Sequence, residues 1–179
     1  YPNCVTGNKG QISKYYISGR TCSGQLVSSN PGDMFEISSM IVGSTTQNNN
    51  AQALNSIADS AAQQGKWAVY LIHGIDNDGG YSPISSSALD QHFSYVKQQN
   101  KWWVATFKDV SKYILEANNL VISETGSDSS YMIDVSCSHQ TSITKLDVPV
   151  TISRKISCAS PQVKQNGSAV QSAVTNGKV

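Results

Sequence analysis

A continuous apolar run that ends at His73 is the clearest pattern along the chain. Residues 66–72 are mostly apolar, and a turn rich in Gly, Asp and Asn follows His73. Apolar residues on both faces predict a strand that is buried on both faces, as in a parallel sheet covered by helices. Ligands bind beyond the carboxyl ends of such strands, and a histidine there donates or accepts a proton near neutral pH. His73 is therefore a candidate catalytic residue; the more frequent alternative is a partly buried histidine that bonds to a backbone carbonyl.

Strands and helices alternate along residues 14–118. Apolar residues three and four apart predict the helices, and short runs of β-branched and aromatic residues predict the strands. The predicted strands cover 14–20, 34–42, 66–73 and 103–107, and the predicted helices cover 49–64, 86–99 and 108–117. Gly65 is the predicted end of the first helix, and Ser87 with Asp90 resembles a capping box in the second. This alternation is typical of an α/β fold with parallel strands, either layered or closed into a barrel.

A different pattern begins at residue 119. Short β-type runs alternate there with Ser, Gly, Asn and Lys, and no helical spacing is present. We therefore predict two parts, an α/β domain over residues 1–118 and a small antiparallel β appendage over residues 119–179.

Composition narrows the class of partners. The formal net charge of +1 comes from scattered side chains, so neither a nucleic-acid surface nor a charged membrane-binding face is predicted. No apolar run is long enough to span a bilayer. Only 14% of the residues are charged, while uncharged polar residues abound, which is typical of a secreted or extracellular protein.

The opening of the chain suggests a further partner. The chain starts at Tyr1 without an initiator methionine. Its α/β part supplies only about three or four strand–helix units, too few to close a barrel. We therefore expect an upstream segment of the same protein to pack beside residues 15–18, and we expect the chain not to fold stably alone.

The cysteines are Cys4, Cys22, Cys137 and Cys158. None forms a C-x-x-C pair, so a zinc site or a redox motif is poorly supported. Their grouping near the two ends favours Cys4–Cys22 and Cys137–Cys158 disulfides, which is one of three possible pairings. Cys4 could instead bridge to the upstream segment.

Several short motifs occur in a defined order over residues 1–118. They are Tyr1 with Pro2, Tyr16 and Arg20; Leu71 with His73; the Gly-Gly-Tyr-Ser-Pro loop at 79–83; and the segment 103–114. Together these motifs resemble the second half of a polysaccharide deacetylase of the NodB-homology type, carbohydrate esterase family 4.

The resemblance implies a distorted (β/α) barrel that removes acetyl groups from a polysaccharide. Such enzymes hold a divalent metal, zinc or a similar ion, with an aspartate and two histidines; a second aspartate is the base and a late histidine is the acid. The metal polarises the acetyl carbonyl and activates water, and the acid protonates the leaving group. The resemblance thus assigns the acid to His73 and makes Arg20, near the family's central arginine motif, a candidate substrate-binding residue.

Aromatic side chains are candidates for contact with sugar rings. Tyr81, in the loop that follows His73, is the first candidate, and a role as an anchor for the loop is an equal alternative. Trp102 is predicted to be exposed and to bind substrate. Trp67 and Trp103 head predicted buried strands and are predicted to lie in the core.

The chain also departs from the family's pattern. The paired aspartates and the histidine-x-x-x-histidine motif are missing, and Arg20 has no proline partner. Asp76 and Asp78 are predicted to form a turn, and His92 and His139 lie at no metal-ligand spacing. No metal ligand is therefore predicted in this chain. Two functions stay open: part of a secreted deacetylase whose metal-binding half is elsewhere, or a non-catalytic carbohydrate-binding or structural relative that has lost the metal site.

Overall fold

The computed structural model describes residues 7–127, 130–139, 142–143, 145–155 and 161–170. The helices are Lys9–Ile12 (α1), Ala51–Gln64 (α2), Ser86–Gln99 (α3) and Phe107–Asn118 (α4). The strands are Arg20–Thr21 (β1), Val27–Ser28 (β2), Ile37–Ser38 (β3), Met40–Val42 (β4), Lys66–Trp67 (β5), Tyr70–Ile72 (β6), Leu120–Ser127 (β7), Ser130–Cys137 (β8), Lys164–Gln165 (β9) and Ser168–Ala169 (β10). These elements form a mixed α/β structure with small two-stranded sheets. No helix in the described ranges is both long and apolar enough to cross a membrane.

Two parallel strand pairs agree with the predicted α/β class. β4 pairs with β6 from Met40 opposite Tyr70 to Val42 opposite Ile72, and β1 pairs with β3 in the same sense. β2 and β5 are antiparallel. The strands within the described ranges form no closed barrel.

The strand predicted over residues 66–73 is divided at residues 68–69. Its first part, β5, belongs to the antiparallel pair with β2, and its second part, β6, belongs to the parallel pair with β4. At this joint the N–H of Met40 donates to the buried Val69 carbonyl at 2.9 Å. Ile72 is exposed, so the prediction of two buried faces is wrong at the carboxyl end of the strand.

Two apolar clusters form the core. One lies where α2 and α3 pack against β4 and β6, and its buried members are Val42, Leu54, Ile84, Ala88 and Leu89. The other is built from Val27, Ile37 and Val69, with Trp67 and Phe107 packed against it. Burying each large aliphatic side chain stabilises the fold by about 1.5–3 kcal/mol, so these clusters fix the position of β6 and of the loop that follows it.

The helix ends follow local side-chain chemistry. The Asn50 side chain accepts a hydrogen bond from the N–H of Ala53 at 3.0 Å and begins α2. Gly65 ends α2 at φ 59°, a left-handed conformation that suits glycine, as predicted. Ser85, not Ser87, caps α3, because its side chain accepts from the N–H of Ala88 at 3.2 Å. The predicted capping box is therefore wrong.

Two predicted strands are also wrong in extent. Residues 101–106 belong to no strand, and α4 starts at Phe107, because the Thr106 hydroxyl accepts from the N–H of Asp109 at 3.2 Å. The Phe107 ring packs 5.2 Å from the Trp67 ring, so its apolar surface joins a helix to a strand. Of the strand predicted over residues 14–20, only Arg20 lies in a strand, β1.

The described part of the C-terminal segment is extended and β-rich. β7 and β8 form an antiparallel hairpin, with Leu120 opposite Cys137, as the sequence predicts for this stretch. β9 and β10 form a second, short hairpin. Residues 145–152 contact α4, where Lys112 Nζ lies 2.7 Å from Asp147 Oδ1. The division into two domains stays a prediction.

The cysteines differ from the predicted pairing. Cys22 is disulfide-bonded, and Cys137 is a free thiol whose Sγ lies 3.8 Å from the His139 carbonyl oxygen. The predicted Cys137–Cys158 disulfide is therefore wrong. Cys4, the predicted partner of Cys22, and Cys158 lie outside the described residues.

Candidate functional site

The candidate site lies at the carboxyl ends of β4 and β6. Because these strands are parallel and Val42 is opposite Ile72, the residues that follow them, Gly43 and His73, leave the sheet at the same edge. This is the edge at which α/β proteins bind ligands.

His73 and Tyr81 form an exposed aromatic pair at this edge. Their ring centroids lie 5.5 Å apart with an interplanar angle of 89°, an edge-to-face contact. Tyr81 is 64% exposed and His73 is also exposed. Within the described ranges no hydrogen bond holds the His73 ring, so the partly buried histidine that the sequence offered as an alternative is not what is observed. The imidazole is accessible to a ligand, and the phenol ring lies beside it.

A compact turn carries this pair. Asp78 accepts hydrogen bonds from the N–H groups of Ile75 and Gly80, both at 2.8 Å, and these bonds lower the pKa of its carboxyl. Gly80 approaches the His73 carbonyl so closely that an added Cβ would collide with it. The turn closes where the N–H of Ile84 donates to the Gly74 carbonyl at 3.0 Å.

Asp76 connects the turn to α3. Its Oδ1 accepts from the N–H of Ser86 at 2.8 Å, and this hydrogen bond lowers the pKa of the Asp76 carboxyl. Its own N–H donates to the Ile84 carbonyl at 2.9 Å. Asp76 and Asp78 thus both bond backbone N–H groups, which confirms that they are turn formers.

A second loop, the one after β4, is fastened to the His73 loop through Ser82. The Ser82 Oγ lies 3.0 Å from the N–H of Thr45 and 2.7 Å from its hydroxyl, and the N–H of Ser44 donates to the Pro83 carbonyl at 3.1 Å. Ser82 is buried and has a φ of 49°. Gly43 leaves no room for a side chain, because a Cβ there would overlap the Ser82 carbonyl. Ser82 and Thr45 are not predicted as site residues from the sequence; the signal for them is Gly43, immediately after a strand.

The other candidate substrate residues lie elsewhere. Trp102 is half-buried; its Nε1–H donates to the Ala58 carbonyl at 2.8 Å and its ring packs on Tyr95. The prediction that Trp102 is exposed is therefore wrong, because this hydrogen bond fixes it to α2. Trp103, predicted to be core, is instead 55% exposed and contacts Tyr113.

Arg20 lies in the other parallel pair. It is opposite Ile37, and its Nη1 donates to the Cys22 sulfur at 3.8 Å. It is half-buried, and the described contacts do not bring it to His73 or Tyr81. A role for Arg20 in substrate binding stays a prediction.

The remaining histidines are not placed as metal ligands. His92 is 2% exposed; its Nδ1 lies 2.8 Å from Asn55 Oδ1, its ring packs edge-on to Tyr70, and burial lowers its pKa. His139 lies beyond β8. Throughout the described part of the chain, no three His, Cys, Asp or Glu side chains are grouped to hold a metal ion. The divalent metal that the resemblance implies therefore does not fit the described residues.

Comparison with known proteins gives no relative for this geometry. The chain matches no protein-family model, no curated protein and no solved structure.

Proposed function

We propose that this chain is part of a secreted, metal-dependent polysaccharide deacetylase. Its substrate would be an acetylated glycan of the xylan, chitin or peptidoglycan type, and His73 would be its catalytic acid. The observation that carries the proposal is the exposed imidazole at the carboxyl end of a parallel strand, beside the exposed Tyr81 ring. The order of motifs over residues 1–118 supplies the reaction class.

The proposed role of His73 is one proton transfer. As the bond between the acetyl carbon and the sugar oxygen or nitrogen breaks, the imidazolium donates its proton to that leaving atom, which departs as a hydroxyl or amine. The neutral imidazole then recovers a proton from solvent. A ring with no hydrogen bond in the described structure is free to take the orientation that this transfer needs.

Tyr81 is the proposed contact with the sugar. Its ring is exposed, and it projects from a turn that Asp78 holds together. A rigid aromatic side chain loses little conformational entropy when it packs on the apolar face of a sugar. Its contact with His73 would place the bound sugar next to the proton donor.

The proposed enzyme also has a barrel, to which this chain would contribute only a part, and a metal site. The parallel β1–β3 and β4–β6 pairs support a distorted (β/α) barrel to which these strands would contribute. The metal would be held by side chains other than the described ones, in the proposed upstream part of the protein. Secretion is supported by the low charge content and by the disulfide at Cys22.

A second candidate is a non-catalytic carbohydrate-binding relative. It is favoured by the exposed Tyr81 together with the missing metal-ligand group in the described residues. In that protein the same aromatic pair would bind glycan without chemistry.

The test is acetate release by the complete protein from acetylated xylan and chitin oligomers. His73→Ala should lower the rate about a hundred- to ten-thousand-fold, whereas Asn77→Ala, an exposed change in the same loop, should leave it unchanged. A wild-type rate for His73→Ala would refute the role of His73. Glycan binding that depends on Tyr81 without any acetate release would favour the binding protein.

A further inference from the structure

A cleft of about 1110 Å³ lies between the end of α4, the open end of the β7–β8 hairpin and the described residues 142–143 and 145–152. It is separate from the His73 edge, because none of its lining residues belongs to β4, β6 or their loops. Its apolar lining residues are Leu120, Val135, Ile143, Leu146, Val148, Pro149, Val150 and Ile152. Its other lining residues are polar or ionisable: Glu116, Cys137, His139, Ser142, Lys145, Asp147 and Gln165. Clefts of roughly this size, in which apolar walls carry placed polar groups, are typical small-molecule sites.

One buried acidic residue is part of this lining. Glu116, in the last turn of α4, is 6% exposed and lines the cleft. Its Oε1 accepts from the N–H of Val148 at 3.1 Å. Its Oε2 is buried and has no hydrogen-bond partner in the described structure. A buried carboxylate oxygen without a donor costs free energy, so a ligand that donates a hydrogen bond to Oε2 would remove this cost.

The nearby cations do not supply that donor. The Lys112 ammonium, one turn before Glu116, bonds Asp147 Oδ1 at 2.7 Å, and this bond lowers the pKa of the Asp147 carboxyl. Lys145 lines the cleft but is exposed, and no ion pair joins it to Glu116 in the described residues. Among the described residues, Asp147 thus has a cationic partner and Glu116 has none.

We propose that this cleft binds a primary alkylammonium ligand, with the ammonium on Glu116 Oε2 and the aliphatic body against the apolar walls. An ammonium carries three donors and complements a carboxylate through a charge-assisted hydrogen bond. No Trp, Tyr or Phe is among the described lining residues, which favours an aliphatic body over a sugar ring. The inference does not depend on the proposed deacetylase activity.

The test uses n-hexylamine as the probe and 1-hexanol as its neutral analogue, with the complete protein at pH 7. By calorimetric titration, hexylamine should bind at least about tenfold more tightly than hexanol, since a charge-assisted hydrogen bond is stronger than a neutral one. Glu116→Gln keeps the shape of the side chain and should abolish this difference. Glu36→Gln makes the same change of charge at a residue that pairs with Lys9 outside the cleft, and it should preserve the difference.

A second readout needs no variant. The free Cys137 thiol lines the cleft, so hexylamine should slow its alkylation by iodoacetamide, as followed by mass spectrometry of the Cys137 peptide. Equal affinity for amine and alcohol, an unchanged preference in Glu116→Gln, or no protection of Cys137 would each overturn the proposal. If Glu116→Gln does not fold, protection of Cys137 by the amine but not by the alcohol supports the proposal, and equal protection by both overturns it.

Discussion

The hydrogen bonds of Ser82 offer the sharpest test of how the two site loops are joined. Ser82→Ala removes the oxygen that bonds both the N–H and the hydroxyl of Thr45, at 3.0 and 2.7 Å. An unpaired, partly buried N–H costs about 1–3 kcal/mol, and a lost neutral hydrogen bond costs about 0.5–1.5 kcal/mol. Because the two bonds share one acceptor, their costs do not add fully, and we expect a total loss of about 1–3 kcal/mol. The backbone φ of 49° does not alter this value, since serine and alanine both carry a Cβ and are strained alike in that conformation.

The assay is urea unfolding of the complete protein followed by tryptophan fluorescence. With a slope of about 1–3 kcal/mol per molar urea, the midpoint of Ser82→Ala should fall by roughly 1 M at an unchanged slope. Ser44→Ala, an exposed serine in the partner loop, is the matched control and should unfold with the wild type. Coincident midpoints for Ser82→Ala, Ser44→Ala and the wild type would show that Ser82 does not fasten the loops.

Three other outcomes are expected. The free energy of unfolding should fall as the pH drops below about 6.5. Burial lowers the pKa of His92, so the imidazole takes up a proton more readily in the unfolded chain than in the folded one. Urea titrations at pH 5–8 should show this fall for the wild type and a flatter dependence for His92→Gln. Trp102→Phe should lower the free energy of unfolding by about 1 kcal/mol through its lost bond to Ala58 and leave glycan affinity unchanged. Tyr81→Ala should lower glycan affinity without changing the unfolding midpoint. The reverse pattern would contradict both assignments. Alkylation of the unreduced protein should label Cys137, and a protected Cys137 would contradict its free state.

The position of His73 could be predicted because its signals are local. An apolar run, followed by a glycine and two turn-forming aspartates, defines a strand end whatever the strand pairs with. The structure places His73 at that end and gives Asp76 and Asp78 the expected backbone bonds. Gly65 was predictable for the same reason, since a helix end with positive φ selects glycine.

The wrong or missing predictions concern features that contacts between distant residues determine. The bond between Ser82 and Thr45 joins residues 37 positions apart, and two polar side chains leave no periodic trace in the sequence. Residues 103–107 have high strand propensity, yet the Thr106 cap and the contact of Phe107 with Trp67 start a helix there. Trp102 and Trp103 are neighbours with the same propensity, and Trp102 is the one held against the protein, by its bond to the Ala58 carbonyl on α2 and its contact with Tyr95.

The divided strand has a consequence for insertions and deletions in this chain. Residues 68–69 connect β5, which is in register with β2, to β6, which is in register with β4. Because side chains alternate between the faces of a strand, one extra residue at this joint would exchange the faces of everything after it until one of the two pairings slipped. His73 and the turn that carries Tyr81 would then leave the sheet on the opposite side from the loop after β4, to which Ser82 bonds them. Residues 101–106 belong to no described strand, so length changes there shift no register. Length variation should therefore be tolerated before α4 and excluded from the joint that precedes His73.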